Sequence, residues 1–180
     1  SDTNQTGVMT RSNQFTCASG KKWWIETSIK LADHDNQEFF FGLSEVDVDT
    51  DSFWNAAAAN GKDRVGFRMS VEDDDTITAS VSKGTAGDIN LSLDSGIEYD
   101  TDSNVLTMGI MWDGVDSIKF YAAQAATGTE VGDLSSVLTY STAAGIPNDS
   151  SMYLALATEC GNDGATEPIT VNYIRGAWEI

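Results

Sequence analysis

Residues 22–32 read KWWIETSIKLA, and their polarity alternates with a period of two. Trp24, Glu26, Ser28 and Lys30 fall on one side, and Trp23, Ile25, Thr27, Ile29 and Leu31 on the other. A helix turns once every 3.6 residues and would smear both sets around its axis. An extended chain flips at each residue and keeps them apart. The stretch is therefore a half-buried strand, and the same reading recurs along the chain. NQFTCAS (13–19) is a short first strand, and EFFFGLSEV (38–46), apolar on both faces at its start, is a central one. RVGFRMSV (64–71), TITASVS (76–82) and the short INLSL follow. NVLTMGIMWDG (104–114) and DSIKFYAAQ (116–124) form a hairpin about WDGVD, and MYLALAT (152–158) and ITVNYIRGAWEI (169–180) close the chain. One stretch is helical in character: TDSFWNAAAAN (50–60), with Asp51 or Ser52 to cap it and Asn-Gly to end it. Short strands separated by Gly/Asp turns, with one short helix, predict an all-β sandwich rather than βαβ units.

Length and charge narrow the function. A chain of 180 residues is expected to be one domain burying roughly 70% of its extended surface, enough for a core without disulfide or metal. The domain is taken as 12–180, after a polar, flexible segment over 1–11 that opens SDTNQTG. Ser1 begins no signal-peptide pattern, although a processed chain would have lost one. Twenty-eight acidic residues stand against ten basic ones, a net charge of −18. Too few cations are present to neutralise phosphates, so nucleic acid and anionic membranes are not expected partners. No apolar run nears the roughly 20 residues of a membrane helix. Cys17 and Cys160 pair only if the first and penultimate strands adjoin; otherwise they are small buried hydrophobes.

The acidic string Glu45-Val46-Asp47-Val48-Asp49 resembles the E-x-D-x-E strand that carries the catalytic carboxylates of laminarinase-type β-glucanases. Retention needs two carboxyls about 5–5.5 Å apart. Here the third position is the shorter Asp49, and the acids begin where the apolar FFFGL ends, so no catalytic residue is assigned. Asp47, Asp49 and Asp51 mimic positions 1, 3 and 5 of an EF-hand, but Ser52 and Ala58 stand where Gly and Glu are required. They remain candidates only for a looser calcium site, and no cofactor is assigned. EDDD (72–75) reads as a solvated turn and His34 as a surface residue of the turn ADHDNQ. Sugars stack on exposed aromatic rings, which makes Trp54, Trp112 and Tyr140 the glycan-stacking candidates. Against this, Trp23, Trp24 and Trp112 lie in strands and read as core.

WWIETSIKLAD, EFFFGLSE, the Ala-rich helix, DRVGFRM, LTMGIMWDGVDSIKFYAA, GIPNDSSMYLALAT and ITVNYIRGAWEI occur in one order over residues 12–180. Together they resemble the concanavalin A-like lectin/glucanase jelly roll. In particular they resemble small tailed-phage virion proteins in which W-x-E-x-x-(I/V)-K precedes F-F-x-G-L and a W-D-G…F-Y hairpin. The chain departs from these at FYAAQAATG, where the phage proteins often read fYvDG. The resemblance implies two antiparallel sheets with first and last strands adjacent. It also implies a virion setting: a non-enzymatic capsid decoration (cement) protein on the outer head surface, or another head or tail surface component. Such a protein is made in the host cytoplasm, forms homo-oligomers and contacts the major capsid protein or other virion proteins. The alternative is a lectin-like carbohydrate-binding module that adheres to host-surface glycans, and a glucanase-type hydrolase comes third.

Overall fold

In the computed structural model, residues 5–10, 12, 14–33, 37–45, 62–69, 76–84, 93–99, 104–126, 128, 134–160 and 168–179 are described. Among them the strands are β1 (Gln5–Met9), β2 (Trp23–Leu31), β3 (Gln37–Ser44), β4 (Arg64–Met69), β5 (Thr76–Ser82) and β6 (Leu93–Glu98), then β7 (Asn104–Trp112), β8 (Ile118–Ala126), β9 (Ser135–Tyr140), β10 (Tyr153–Cys160) and β11 (Ile169–Trp178). A six-stranded sheet runs β1-β10-β3-β4-β5-β6, and a five-stranded sheet runs β11-β2-β7-β8-β9. Every pairing is antiparallel. The expected all-β jelly-roll sandwich is what the chain forms, and β3 is central to its sheet as its double-sided apolarity requires.

The two inner faces meet as one core. Ile25, Ile29, Leu106, Ile110 and Phe120 from the five-stranded sheet pack against Phe39, Phe41, Val65, Phe67 and Val81 from the other. Phe67 and Phe120 meet edge to face across the gap, 5.2 Å between centroids. Tyr99, fully buried, accepts the Leu31 N–H and donates to the Asn104 carbonyl, joining the end of β2 to the start of β7. The WDGVD turn closes as expected: Asp113 Oδ1 accepts the N–H groups of Val115, Asp116 and Ser117, and Gly114 takes a positive φ of 79°.

Three expectations are corrected. Of the strand expected over 13–19, residues 14–19 form none: Phe15 makes an isolated bridge with Met152, and the segment crosses the end of the sandwich as a strap. The indole N–H groups of Trp23 and Trp112 donate to the carbonyls of Thr16 and Ala18. Such side-chain bonds replace the ladder this segment lacks. The opening segment is paired over Gln5–Met9, where β1 adds to the free edge of β10, so 1–11 is not wholly loose. First and last strands do not pair, since β1 and β11 are edges of opposite sheets. Of the expected INLSL strand only Leu93, which opens β6, lies within the described residues. Cys17 is buried and free. Burial and the Asp63 charge push its thiol pKa far up, so it stays protonated. The helix at 50–60 and the EDDD turn lie outside the described residues.

Candidate functional site

Where the ends of β11, β2 and β7 meet, a solvent-open groove of about 540 Å³ is lined by Lys22, Trp24, Met111, Asp113, Trp178 and Glu179, among others. Pairing register builds it. Trp24 lies between Ala177 of β11 and Met111 of β7 on the outer face of the sheet. One residue away, Trp178, Trp23 and Trp112 form a row on the inner face. The interior pair is buried, but Trp178 is at the edge and 45% exposed, held edge-on by Phe15 at 5.4 Å. Trp24 is 39% exposed. The two exposed indoles thus flank the same corner, one on each face.

Electrostatic contacts fix the outer ring in place. Arg175 bonds Glu26 Oε1 at 2.8 Å and sets its guanidinium 5.5 Å from the Trp24 ring and 5.0 Å from Tyr173. Both stacking distances are within cation–π range. The Tyr173 hydroxyl donates to the same Glu26 carboxylate. Burial, then this bond and the Glu26 charge, push the phenol pKa up to about 12. At the far side of the groove, burial pushes the Asp113 carboxyl up, but the Ser117 hydroxyl and three backbone N–H donors outweigh it and hold the pKa at about 2. Asp113 is therefore committed to its own turn and is not a base. Lys22, exposed, is the cation that lines the groove.

The sequence-derived candidates fare differently. Trp112 is only 2% exposed and cannot stack on a ligand; its side chain is core because it sits inside the sheet with its N–H committed to Ala18. Tyr140 is likewise buried. Trp54, Asp47, Asp49, Asp51 and His34 lie outside the described residues. Glu45 follows the last residue of β3, and its carboxylate takes the Asp63 N–H and pairs with Lys62 at 3.4 Å, a turn-closing role. Among the described residues, no group of three or more His, Cys, Asp or Glu is placed to hold a metal. The exposed Trp24 was read as core, although its alternation with Glu26, Ser28 and Lys30 was the available signal for the solvent side.

A second titrating group sits by the β4–β5 end. Asp63, 2% exposed, accepts the Gly84 N–H at 2.8 Å. Burial and then the nearby Asp149 raise its pKa above the usual 3.8. A carboxyl whose folded pKa is raised contributes stability that is full below 3.8 and is lost as pH rises through the folded value. Asp63→Asn keeps the acceptor and removes the charge. It is expected to be more stable than the native chain at pH 8, with the difference closing below about pH 4; urea midpoints across that range check this.

No protein-family model and no curated protein matches the chain. Solved structures do. The lectin UEA-II complexed with galactose superposes with a TM-score of 0.59 at 12% identity, over 99% of this chain and 82% of its own. The carbohydrate recognition domain of Emp46p, in metal-free form, gives 0.59 at 10% identity, over 96% and 76%. Lectin I-B4 from Griffonia simplicifolia, also metal-free, gives 0.52 at 14% identity, over 99% and 81%. At these identities the likeness concerns the fold alone, which is the concanavalin A-like lectin jelly roll.

Proposed function

We propose that this chain is a non-enzymatic, lectin-like recognition module that holds a carbohydrate in the groove at the β11–β2–β7 corner. The observation that carries this reading is the pair of exposed indoles, Trp24 and Trp178, on either side of an open cleft of about 540 Å³. Sugar rings present apolar faces to such indoles, and a few convergent polar groups set orientation. Lys22 supplies donors, and the backbone at the strand ends supplies acceptors. The carbohydrate-binding relatives in fold support the reading by analogy only. Calorimetric titration with neutral galactose- and glucose-based oligosaccharides tests it. Trp24→Ala is expected to weaken binding by about tenfold or more, roughly 1.4 kcal/mol, with the fold intact because the ring faces solvent. The absence of heat with every sugar, or Trp24→Ala binding as well as the native chain, overturns it.

A second reading is a decoration protein on the outer head of a tailed-phage particle. The motif order over residues 12–180 supports the setting, and the exposed edge of β11 supports a docking role: Val171, Tyr173 and Trp178 on one strand are solvent-exposed. Gradient-purified particles are expected to carry hundreds of copies of the chain. A handful of copies would indicate a tail or vertex part, and none would end the virion reading.

A further inference from the structure

We propose that a calcium ion binds where the start of β4, the turn after β5 and the loop before β10 converge, held by side-chain oxygens of Asp63, Asn148, Asp149 and Ser150. None of these residues lines the groove of Trp24 and Trp178. Asp63 immediately precedes β4 and is 2% exposed. Glu45 pins its backbone from both sides: the Glu45 N–H donates to the Asp63 carbonyl at 2.9 Å, and the Glu45 carboxylate accepts the Asp63 N–H at 3.2 Å. The Gly84 N–H donates to Oδ1 at 2.8 Å and so fixes the carboxyl in place. Oδ2 is left buried with no hydrogen-bond partner among the described residues. A carboxylate oxygen buried without a donor is costly. Of the groups that face this carboxyl, Asp149 adds a like charge and Ser150 a hydroxyl. Two carboxylates sharing one site repel each other unless a proton or a cation joins them.

Lys83 does not meet this need. Its ammonium donates to Asn148 Oδ1 at 2.5 Å and lies 4.0 Å from Asp149 Oδ1, but it leaves Asp63 Oδ2 unpaired. The loop gives an ion a way in. Asn148 and Asp149 are exposed and Ser150 is half-buried, while Gly145, Ile146 and Pro147 just before them are buried and anchor the loop. The donors select the ion. Two carboxylates, an amide and a hydroxyl offer oxygen only, which suits a hard cation rather than zinc or copper. A mixed set drawn from three segments fits the tolerant coordination of calcium better than the near-ideal octahedron that magnesium demands. With two acids the set is smaller than a cluster of three acidic or thiol and imidazole ligands, of which the described residues contain none. Its affinity is therefore expected at the weak end of protein calcium sites, a dissociation constant of about 10⁻⁴–10⁻³ M. The string of Asp47, Asp49 and Asp51 plays no part in it and lies outside the described residues. An ion at Asp63 would clasp three segments distant in sequence and add its binding free energy to the stability of the fold.

Calorimetric titration of the EDTA-treated full chain with calcium chloride tests this, with circular dichroism to show that each variant is folded. Ionic strength is held at about 0.15 M, so that general screening of the net charge of −18 is the same throughout. The native chain is expected to bind calcium saturably and to melt at a higher temperature with it than without. Asp149→Asn, at an exposed position, and Asp63→Asn, which keeps the acceptor for the Gly84 N–H, are each expected to weaken binding about tenfold or more and to lose the rise in melting temperature. The absence of saturable binding by the native chain overturns the proposal. Native affinity in either asparagine variant overturns it also, because that result assigns the ion to another acidic stretch of the chain.

Discussion

Gly42→Ala is expected to cost at least about 3 kcal/mol and to lower the melting temperature by roughly 6–12 °C in a chain of this size. Gly42 and Gly66 are direct cross-strand partners in β3 and β4, in the middle of the six-stranded sheet. A methyl on Gly42 would run into the Val65 carbonyl oxygen and the Gly66 Cα, and its next neighbour would be the Val65 carbonyl carbon at 2.9 Å. All three are backbone. Overpacking against side chains costs 1–3 kcal/mol because rotamers can give way; here relief requires the β3–β4 ladder to open. Gly66→Ala is a milder case, since its nearest obstacle is the Phe40 ring at 2.5 Å, although the Phe41 carbonyl oxygen follows at 2.8 Å. The paired glycines also explain Phe40, which points away from the main core and yet is fully buried, with Ala155 and Met9 around it and the Arg64 guanidinium 5.9 Å from its ring. Denaturant titration with a constant slope measures the loss. A Gly42→Ala chain within 1 kcal/mol of native would mean that β3 and β4 do not pair in this register.

What the sequence made legible was what period two can carry. β2, β4, β5, β7, β8 and β10 were readable because one of their faces is core and its apolar residues recur at every second position. β9 was missed because SSVLTY is a short edge strand whose core contacts, Val137, Leu138 and the buried Tyr140, are too few to make an alternation visible. β1 was missed for a related reason: QTGVM gains its pairing from β10 and not from its own pattern. The site was legible only in part. Alternation put Trp24 beside Glu26, Ser28 and Lys30, and so on the solvent side. That Trp178 stands across the corner from it depends on β11 lying beside β2, a neighbour relation separated by about 150 positions that no local pattern encodes. Local periodicity gives a side chain its face, whereas strand order decides whether that face is interior or edge. Trp112 and Trp178 share one face of one sheet, and only the second is exposed, because β7 is interior and β11 is not.

That difference leads to a prediction at Trp112 itself. Trp112→Ala is expected to destabilise the chain by about 3–5 kcal/mol, and Trp112→Phe by about 1–3 kcal/mol. The alanine variant loses the largest fully buried side chain among the described residues and leaves a cavity beside Trp23 and Ile118. The phenylalanine variant fills most of that space but has no N–H, so the Ala18 carbonyl loses the indole donor at 3.2 Å and keeps only the Lys21 backbone N–H. Ala18 lies in the strap that crosses the sandwich end, whose other ties are the Trp23 indole to Thr16, the Phe15 bridge to Met152 and the Gly20 N–H to the Gly114 carbonyl. Weakening one of four ties should open the strap before the sheets, because segments with few ladder bonds open at low free energy. Lys21 and Lys22 at its end make trypsin the probe: cleavage there is expected to accelerate in both variants under conditions where the native chain resists. Had Trp112 been a stacking residue, its removal would have changed sugar affinity and left the unfolding midpoint where it was. A midpoint shift without a comparable loss of sugar binding assigns Trp112 to the core and leaves recognition to Trp24 and Trp178.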